Sequence, residues 1–145
     1  MIPELLTTLA CGIFAGAAIY INVVEQPARL SCGIALAITE WSPSYKRGAA
    51  MQAGLALLGS FLAVVSWRRT DDPAWMVGGA LLFAAIPVTL IVILPTNKKL
   101  QNEELDVASP QAERLLRLWG KLHAVRSALS LVAFLVFLFA LKHTH

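Results

Sequence analysis

The chain is short of charge. Asp, Glu, Lys and Arg make up only 14% of its 145 residues, where a soluble domain carries about 25%. With 57% hydrophobic residues and a mean hydropathy of +0.66, it has almost no room for a separate soluble domain. The formal charge of +3 is too small and too scattered to suit nucleic acid. Lys98 and Lys99 are offset by Glu103, Glu104 and Asp106, and Arg68 and Arg69 by Asp71 and Asp72. Both groups read as solvated loop charges. There are two cysteines. Cys11 lies in an apolar stretch and Cys32 beyond a proline, so they make a poor disulfide or metal pair and read as small packing residues. Of three histidines, His143 and His145 belong to a short tail and read as exposed. A redox metal site usually takes two or more His, or His with carboxylates, at fixed spacing. No metal and no bound cofactor is therefore expected, although a haem with His123 as its single axial ligand stays open. Nucleotide loops, a serine elbow and paired catalytic carboxylates are also missing. No basic segment precedes the first apolar stretch, which reads as a membrane helix and not as a cleaved signal.

What the chain has is four apolar stretches, about 5–24, 48–67, 74–94 and 117–141, each long enough to cross a bilayer. They predict an all-α, integral membrane four-helix bundle, up-down-up-down, as a single domain over 1–145. The short polar turn from Arg68 to Pro73 makes the second and third spans antiparallel neighbours. Residues 25–47 read as a long mixed connector, with 30–39 along the interface or in a short re-entrant helix. Pro27 is expected to end or kink the first helix near Gln26, and Pro95 to end the third. Pro87 should free the carbonyl of Phe83 and kink the third span. Ser109-Pro110 is a good helix start. A helix from there to Leu141 would be roughly 48 Å long against a ~30 Å hydrocarbon core, so its first turns should project from the membrane.

Gly12-x-x-x-Gly16 favours close helix approach, chiefly as an internal contact; a homo-oligomer stays open. Of 12 Lys and Arg, all but Arg68, Arg69 and Lys142 fall at the end that carries the two longer connectors. The positive-inside rule puts that end in the cytosol. The location implied is a multi-pass integral membrane protein, in the inner membrane if the source is bacterial. A weak internal echo pairs Pro27 and Trp41 with Pro95 and Trp119.

The polar side chains capable of chemistry gather at the same end. Ionisable groups at membrane depth are costly and usually functional. Trp119, His123 and Arg126 stand at i, i+4 and i+7, on one helix face that Ser130 continues. Measured from Leu141, His123 lies about 27 Å and Arg126 about 22 Å along the helix, near the membrane boundary. A neutral imidazole there can serve as a base, and the nearby arginine favours the neutral form. The plainer alternative is a snorkelling arginine, a boundary tryptophan and a packing histidine. Glu25 and Arg29 are separated by Pro27, so a pair within one helix is doubtful; Glu25 with Arg126 or Arg47 is the pairing expected. Asn97 at a helix exit reads first as a cap and second as a ligand contact. Tyr45 and Arg47 read as interfacial anchors.

Four motifs now stand in order. They are Tyr20-Ile21-Asn22-Val23-Val24-Glu25-Gln26-Pro27-Ala28-Arg29, Trp41-Ser42-Pro43-Ser44-Tyr45-Lys46-Arg47, Pro95-Thr96-Asn97 with Leu100, and Trp119 with His123, Arg126 and Ser127. Across nearly the whole chain this resembles the anthrone oxygenase-like family of small four-helix membrane proteins. One departure is Gln26, where the family's first motif often has His. The resemblance implies oxidation of a lipophilic anthrone-type aromatic to an anthraquinone with molecular oxygen as co-substrate. An anthrone has an acidic methylene beside a carbonyl, and its anion can react with oxygen without metal or flavin. On that view His123, Arg126 and Glu25 are the catalytic candidates. Arg29, Trp41, Asn97 and Trp119 are the substrate-binding candidates, the tryptophans stacking on a flat ligand. The competing readings are a non-enzymatic membrane protein, either a lipophilic-ligand binder or a subunit of a larger assembly, and, third, a transporter.

Overall fold

The structure is a computed structural model and describes residues 1–143; His145 lies outside the described residues. Every regular element among them is helical. In order these are α1 (Ile2–Tyr20), a π-helical turn (Ile21–Glu25), α2 (Gln26–Ser31), α3 (Ile34–Thr70), α4 (Ala74–Pro87), a second π-helical turn (Val88–Ile93), α5 (Leu94–Leu100) and α6 (Pro110–His143). The stretches Ile2–Ser31, Ile34–Thr70, Ala74–Leu100 and Pro110–His143 are each long and apolar enough to cross a membrane. The architecture is the all-α membrane bundle expected. α1 packs on α3 and α6, and α4 packs on the same two helices, so each span touches its antiparallel neighbours around a closed ring.

The long connector expected over 25–47 is not found. α3 begins at Ile34 and leaves only Cys32 and Gly33 between the first two spans. Gly33 supplies the turn at φ 89, a backbone conformation that costs glycine little. The connector is helical because its apolar residues recur at helical spacing. Ala37, Ile38 and Trp41 are buried while Glu40, Lys46 and Arg47 are exposed. Pro43 sits inside α3, but it and Thr39, whose carbonyl it leaves unpaired, both lie on the exposed side, where solvent can satisfy that carbonyl.

Pro27 and Pro95 do not end their helices either. Each follows a π-helical turn, in which the N–H of Gln26 bonds the carbonyl of Ile21 and that of Leu94 bonds Thr89. A proline ring collides with the carbonyl four residues back, here Val23 or Ile91. Widening the preceding turn by one residue relieves that collision, and the helix resumes with proline in its first turn, where no N–H is needed. Pro87 closes α4 at the start of the second π-turn, so the disruption expected there appears as a change of helix type.

The helix ends follow local chemistry. Ser109 Oγ accepts from the Ala112 N–H at 3.1 Å and starts α6 as expected. Asp71, at φ 55, closes α3, and Asp72 Oδ1 accepts from the Ala74 N–H at 2.9 Å to open α4.

Two apolar clusters form the core. One holds Cys11, Phe14, Trp75, Leu82 and Phe137; the other holds Ile38, Trp41, Ile93, Leu116 and Trp119. Along α3 and α6 a buried polar layer separates them, made of Gln52, His123, Arg126, Ser127 and Ser130. Small residues allow the close approach. A Cβ on Gly79 would lie 2.8 Å from the Ala63 Cβ, and one on Gly12 would lie 2.9 Å from the Phe134 ring, whereas one on Gly16 would meet nothing within 4 Å. The Gly12 half of the glycine pattern is thus an internal contact, and Gly16 faces outward.

Candidate active site

The first π-turn carries Asn22, which ties the first span to α6. Its Nδ2 donates to the Gly120 carbonyl at 2.8 Å. A carbonyl can only accept, so the amide's orientation is fixed. Its Oδ1 then accepts from Ser127 Oγ at 2.6 Å and faces His123 Nδ1 at 2.8 Å. An amide oxygen has no proton to give, so Nδ1 of His123 carries the hydrogen, and in the neutral form of the ring Nε2 is bare. His123 is buried, and Trp119 packs beside it at 5.0 Å between ring centroids. Asn22 had no assigned role in the sequence. Its only signal was a polar side chain in an apolar helix, five residues ahead of a proline.

Glu25 does not pair with Arg126 or Arg47. It pairs with Arg29, because α2 resumes after the π-turn and keeps the two on one continuous helical face. Ser44 Oγ also donates to Glu25 at 2.5 Å. Arg29 Nε lies 2.7 Å from Glu40, and its Nη1 donates to Gln26 Oε1 at 3.2 Å. Its guanidinium stands 5.8 Å from the Trp119 ring centre. Arg29 is therefore compensated in charge by its own neighbours, although its buried Nε makes no hydrogen bond of good geometry. Gln26 is committed too, donating from Nε2 to the Leu116 carbonyl at 2.9 Å.

Arg126 is placed differently. Its Nη2 donates to Gln52 Oε1 at 2.6 Å, and its guanidinium lies 5.5 Å from the Phe14 ring centre. Among the described residues no carboxylate forms a salt bridge with it. The Arg126 Nε and Gln52 Nε2 atoms are buried with no hydrogen-bond partner. A buried cation held only by a neutral amide is an electrophilic group awaiting an acceptor.

Two cavities meet at this arginine. The larger, about 210 Å³, is bounded by Phe14, Tyr45, Gln52, Thr89, Leu90 and Arg126, with alanines of α3 and α4 between them. The smaller, about 20 Å³, is bounded by Glu25, Arg29, Ser44, Trp119, His123 and Arg126, among others. Tyr45, Ala49, Gln52 and Arg126 form the wall they share. Trp41 lines neither cavity. It is fully buried, stacked on Tyr45 at 5.0 Å and edge-on to Trp119 at 5.7 Å, so it backs Trp119. Asn97 is fully buried on α5 and also lines neither cavity. Its amide makes no hydrogen bond among the described residues, so it does not cap the helix as expected. No group of three or more His, Cys, Asp or Glu placed to hold a metal occurs among the described residues.

Four long apolar helices around a buried polar layer, with an oriented histidine and an uncompensated arginine beside internal cavities, are the build of a small multi-pass membrane protein with a candidate ligand site. The chain belongs to the anthrone oxygenase family, whose model matches residues 41–136. That match takes in Trp41, Asn97, Trp119, His123 and Arg126; the first π-turn with Asn22 and Glu25, and α2 with Arg29, precede it. No curated protein and no solved structure matches the chain.

Proposed function

We propose that this protein is a membrane oxygenase that needs no bound cofactor and oxidises a lipophilic, anthrone-type aromatic with molecular oxygen. The observation that carries the reading is an oriented His123 close to an Arg126 that lacks a counter-charge. The family's name supports the reaction class. The space of about 20 Å³ beside His123 supports a small reactant such as dioxygen there.

In this mechanism the substrate's carbonyl oxygen rests on Arg126 and its methylene faces His123. Nε2 takes one methylene proton, and the electron pair left behind delocalises onto the oxygen at Arg126. The electron-rich anion gives one electron to dioxygen. The two radicals join as a peroxide on the former methylene carbon, and the imidazolium returns its proton to the outer oxygen. Loss of the second C–H proton breaks the O–O bond and leaves a new carbonyl. The released hydroxide takes that proton, so anthrone and dioxygen give anthraquinone and water. Glu25 acts through Arg29 as a positioning residue, because the pair closes the small cavity and offsets its charge. Trp119 supplies an aromatic wall.

Purified protein in lipid nanodiscs, supplied with anthrone and oxygen, should form anthraquinone at a rate well above the spontaneous one. His123→Ala should lose about 10²–10⁴-fold, the usual contribution of a positioned base. Unchanged conversion by His123→Ala would remove the base. Wild type that binds anthrone but never converts it would make the protein a lipophilic-ligand binder.

A further inference from the structure

Among the described residues, the one charged side chain lining the larger cavity is a cation, Arg126. Gln52 is 1% exposed and Arg126 6% exposed. The one acceptor atom of Gln52, Oε1, takes a hydrogen bond from Arg126, which fixes the amide with its Nε2 as the remaining donor. What remains, Gln52 Nε2 and Arg126 Nε, are N–H groups with no partner, on two side chains that border this space. Thr89 donates its one hydroxyl hydrogen to the Ala85 carbonyl at 2.7 Å, so it can offer this space only the lone pairs of a neutral oxygen. The remainder of the lining is apolar or aromatic apart from the half-buried Tyr45. A mostly apolar cavity with a permanent positive charge and spare N–H donors at its wall discriminates by the charge of what enters. A neutral hydrocarbon leaves the donors unsatisfied, and an ammonium ion meets a like charge. An oxygen anion satisfies both side chains at once.

The cavity also has a direction. Ala49, Ala53 and Ala56 of α3 face Ala85, Ile86 and Leu90 across it. Ala53 and Leu90 are exposed on the outer surface of the bundle. Apolar residues exposed there at membrane depth face acyl chains, so the opening lies between the second and third spans.

We propose that the cavity binds a lipophilic phenol or enol, which enters sideways from the bilayer in its neutral form, releases its proton to solvent on binding and is held as the anion through its oxygen by Arg126 and Gln52. This deepens the function proposed above by naming the charge state and the route of its ligand. Its test needs no turnover.

The probe is 4-nitro-1-naphthol, whose anion is coloured and whose methyl ether cannot ionise. Full-length protein in nanodiscs should bind it with the anion's spectrum at a pH where the free probe is mostly neutral. The bound probe's apparent pKa should fall by about one unit or more, as for an acid beside a buried arginine. The ether should bind at least about tenfold more weakly, the worth of one charged hydrogen bond. Gln52→Glu gives Arg126 a carboxylate of its own, so this variant should fold and lose the anion's binding to a similar degree. Ala53→Phe should obstruct the opening and reduce binding of phenol and ether alike. Equal binding of phenol and ether, or full anion binding by Gln52→Glu, would overturn the proposal. Anion binding without anthrone turnover would leave this site standing and remove the oxygenase; turnover with no preference for the anion would remove this proposal alone.

Discussion

His123 and Arg126 were legible at the scale of single residues because they share a helix face with Trp119, and their spacing alone places them together. Asn22 was not legible, because its reach to His123 depends on a widened turn that no local spacing announces. It is nevertheless the group that decides which imidazole nitrogen is free. Replacing it with an isosteric apolar side chain removes an acceptor for two donors and a donor for the Gly120 carbonyl. Asn22→Leu should therefore lose stability by about 1–3 kcal/mol, the cost of stranding buried polar groups. In ¹⁵N spectra of the labelled imidazole, wild type should show a protonated Nδ1 and a bare Nε2. The variant should show a mixture of tautomers or the opposite one. An unchanged tautomer in Asn22→Leu would mean that something other than Asn22 orients the ring. Arg29 shows what spacing leaves out. It reads as a ligand contact because it is a charge near a membrane site, and the structure sets it at the wall of the small cavity with Glu25, Gln26 and Glu40, all within a few turns of sequence, as its partners.

Elements were readable in number and order, and less so in length. The prolines marked the right places, but their effect was misjudged. A proline read alone predicts a stop, whereas Pro27 and Pro95 are absorbed by a π-turn and the helix continues. The first of these turns is what turns Asn22 toward α6, so the departure from regular helix lies where the candidate chemistry is. Their placement also gives the internal echo a structural form: both prolines follow a π-turn, and Trp41 meets Trp119 across the bundle. Glycine spacing was equally ambiguous until the helices were placed. The Gly79 backbone approaches the Ala63 methyl group, which is fixed directly to its own backbone and cannot swing aside. Gly79→Ala should thus destabilise the bundle by about 1–3 kcal/mol through overpacking. Gly16→Ala, which meets open space, should be neutral or slightly stabilising, since alanine is the better helix former. Thermal unfolding of both variants in one detergent checks this. Equal loss at the two positions would mean that Gly16 is covered by something outside the chain, such as a second copy.

Across the whole molecule, the polar layer is off-centre. His123 and Arg126 lie toward the end where Cys32 and Gly33 join the first two spans and a polar loop joins α5 to α6. That end also carries nine of the 12 Lys and Arg, the other three being Arg68, Arg69 and Lys142. Two explanations compete for this asymmetry. Insertion selects basic flanks on the cytosolic side, while a functional site keeps charges wherever its ligand needs them. The contacts favour the first for most of them. Lys46, Arg47, Lys98, Lys99, Arg114 and Lys121 are exposed and line no part of the larger cavity, so the site does not account for them. Arg29 and Arg126 are the two that are buried. The loops at the site end should accordingly face the cytosol, and the native chain supplies its own probe. Cys32 is exposed in the short link, and Cys11 is buried in the first span. A membrane-impermeant maleimide should label Cys32 in inside-out vesicles and leave it untouched in intact cells, with Cys11 unreactive in both. Labelling of Cys32 from outside the cell would reverse the orientation. The excess of basic residues would then have to be explained by what the exposed loops bind and not by how the chain was inserted.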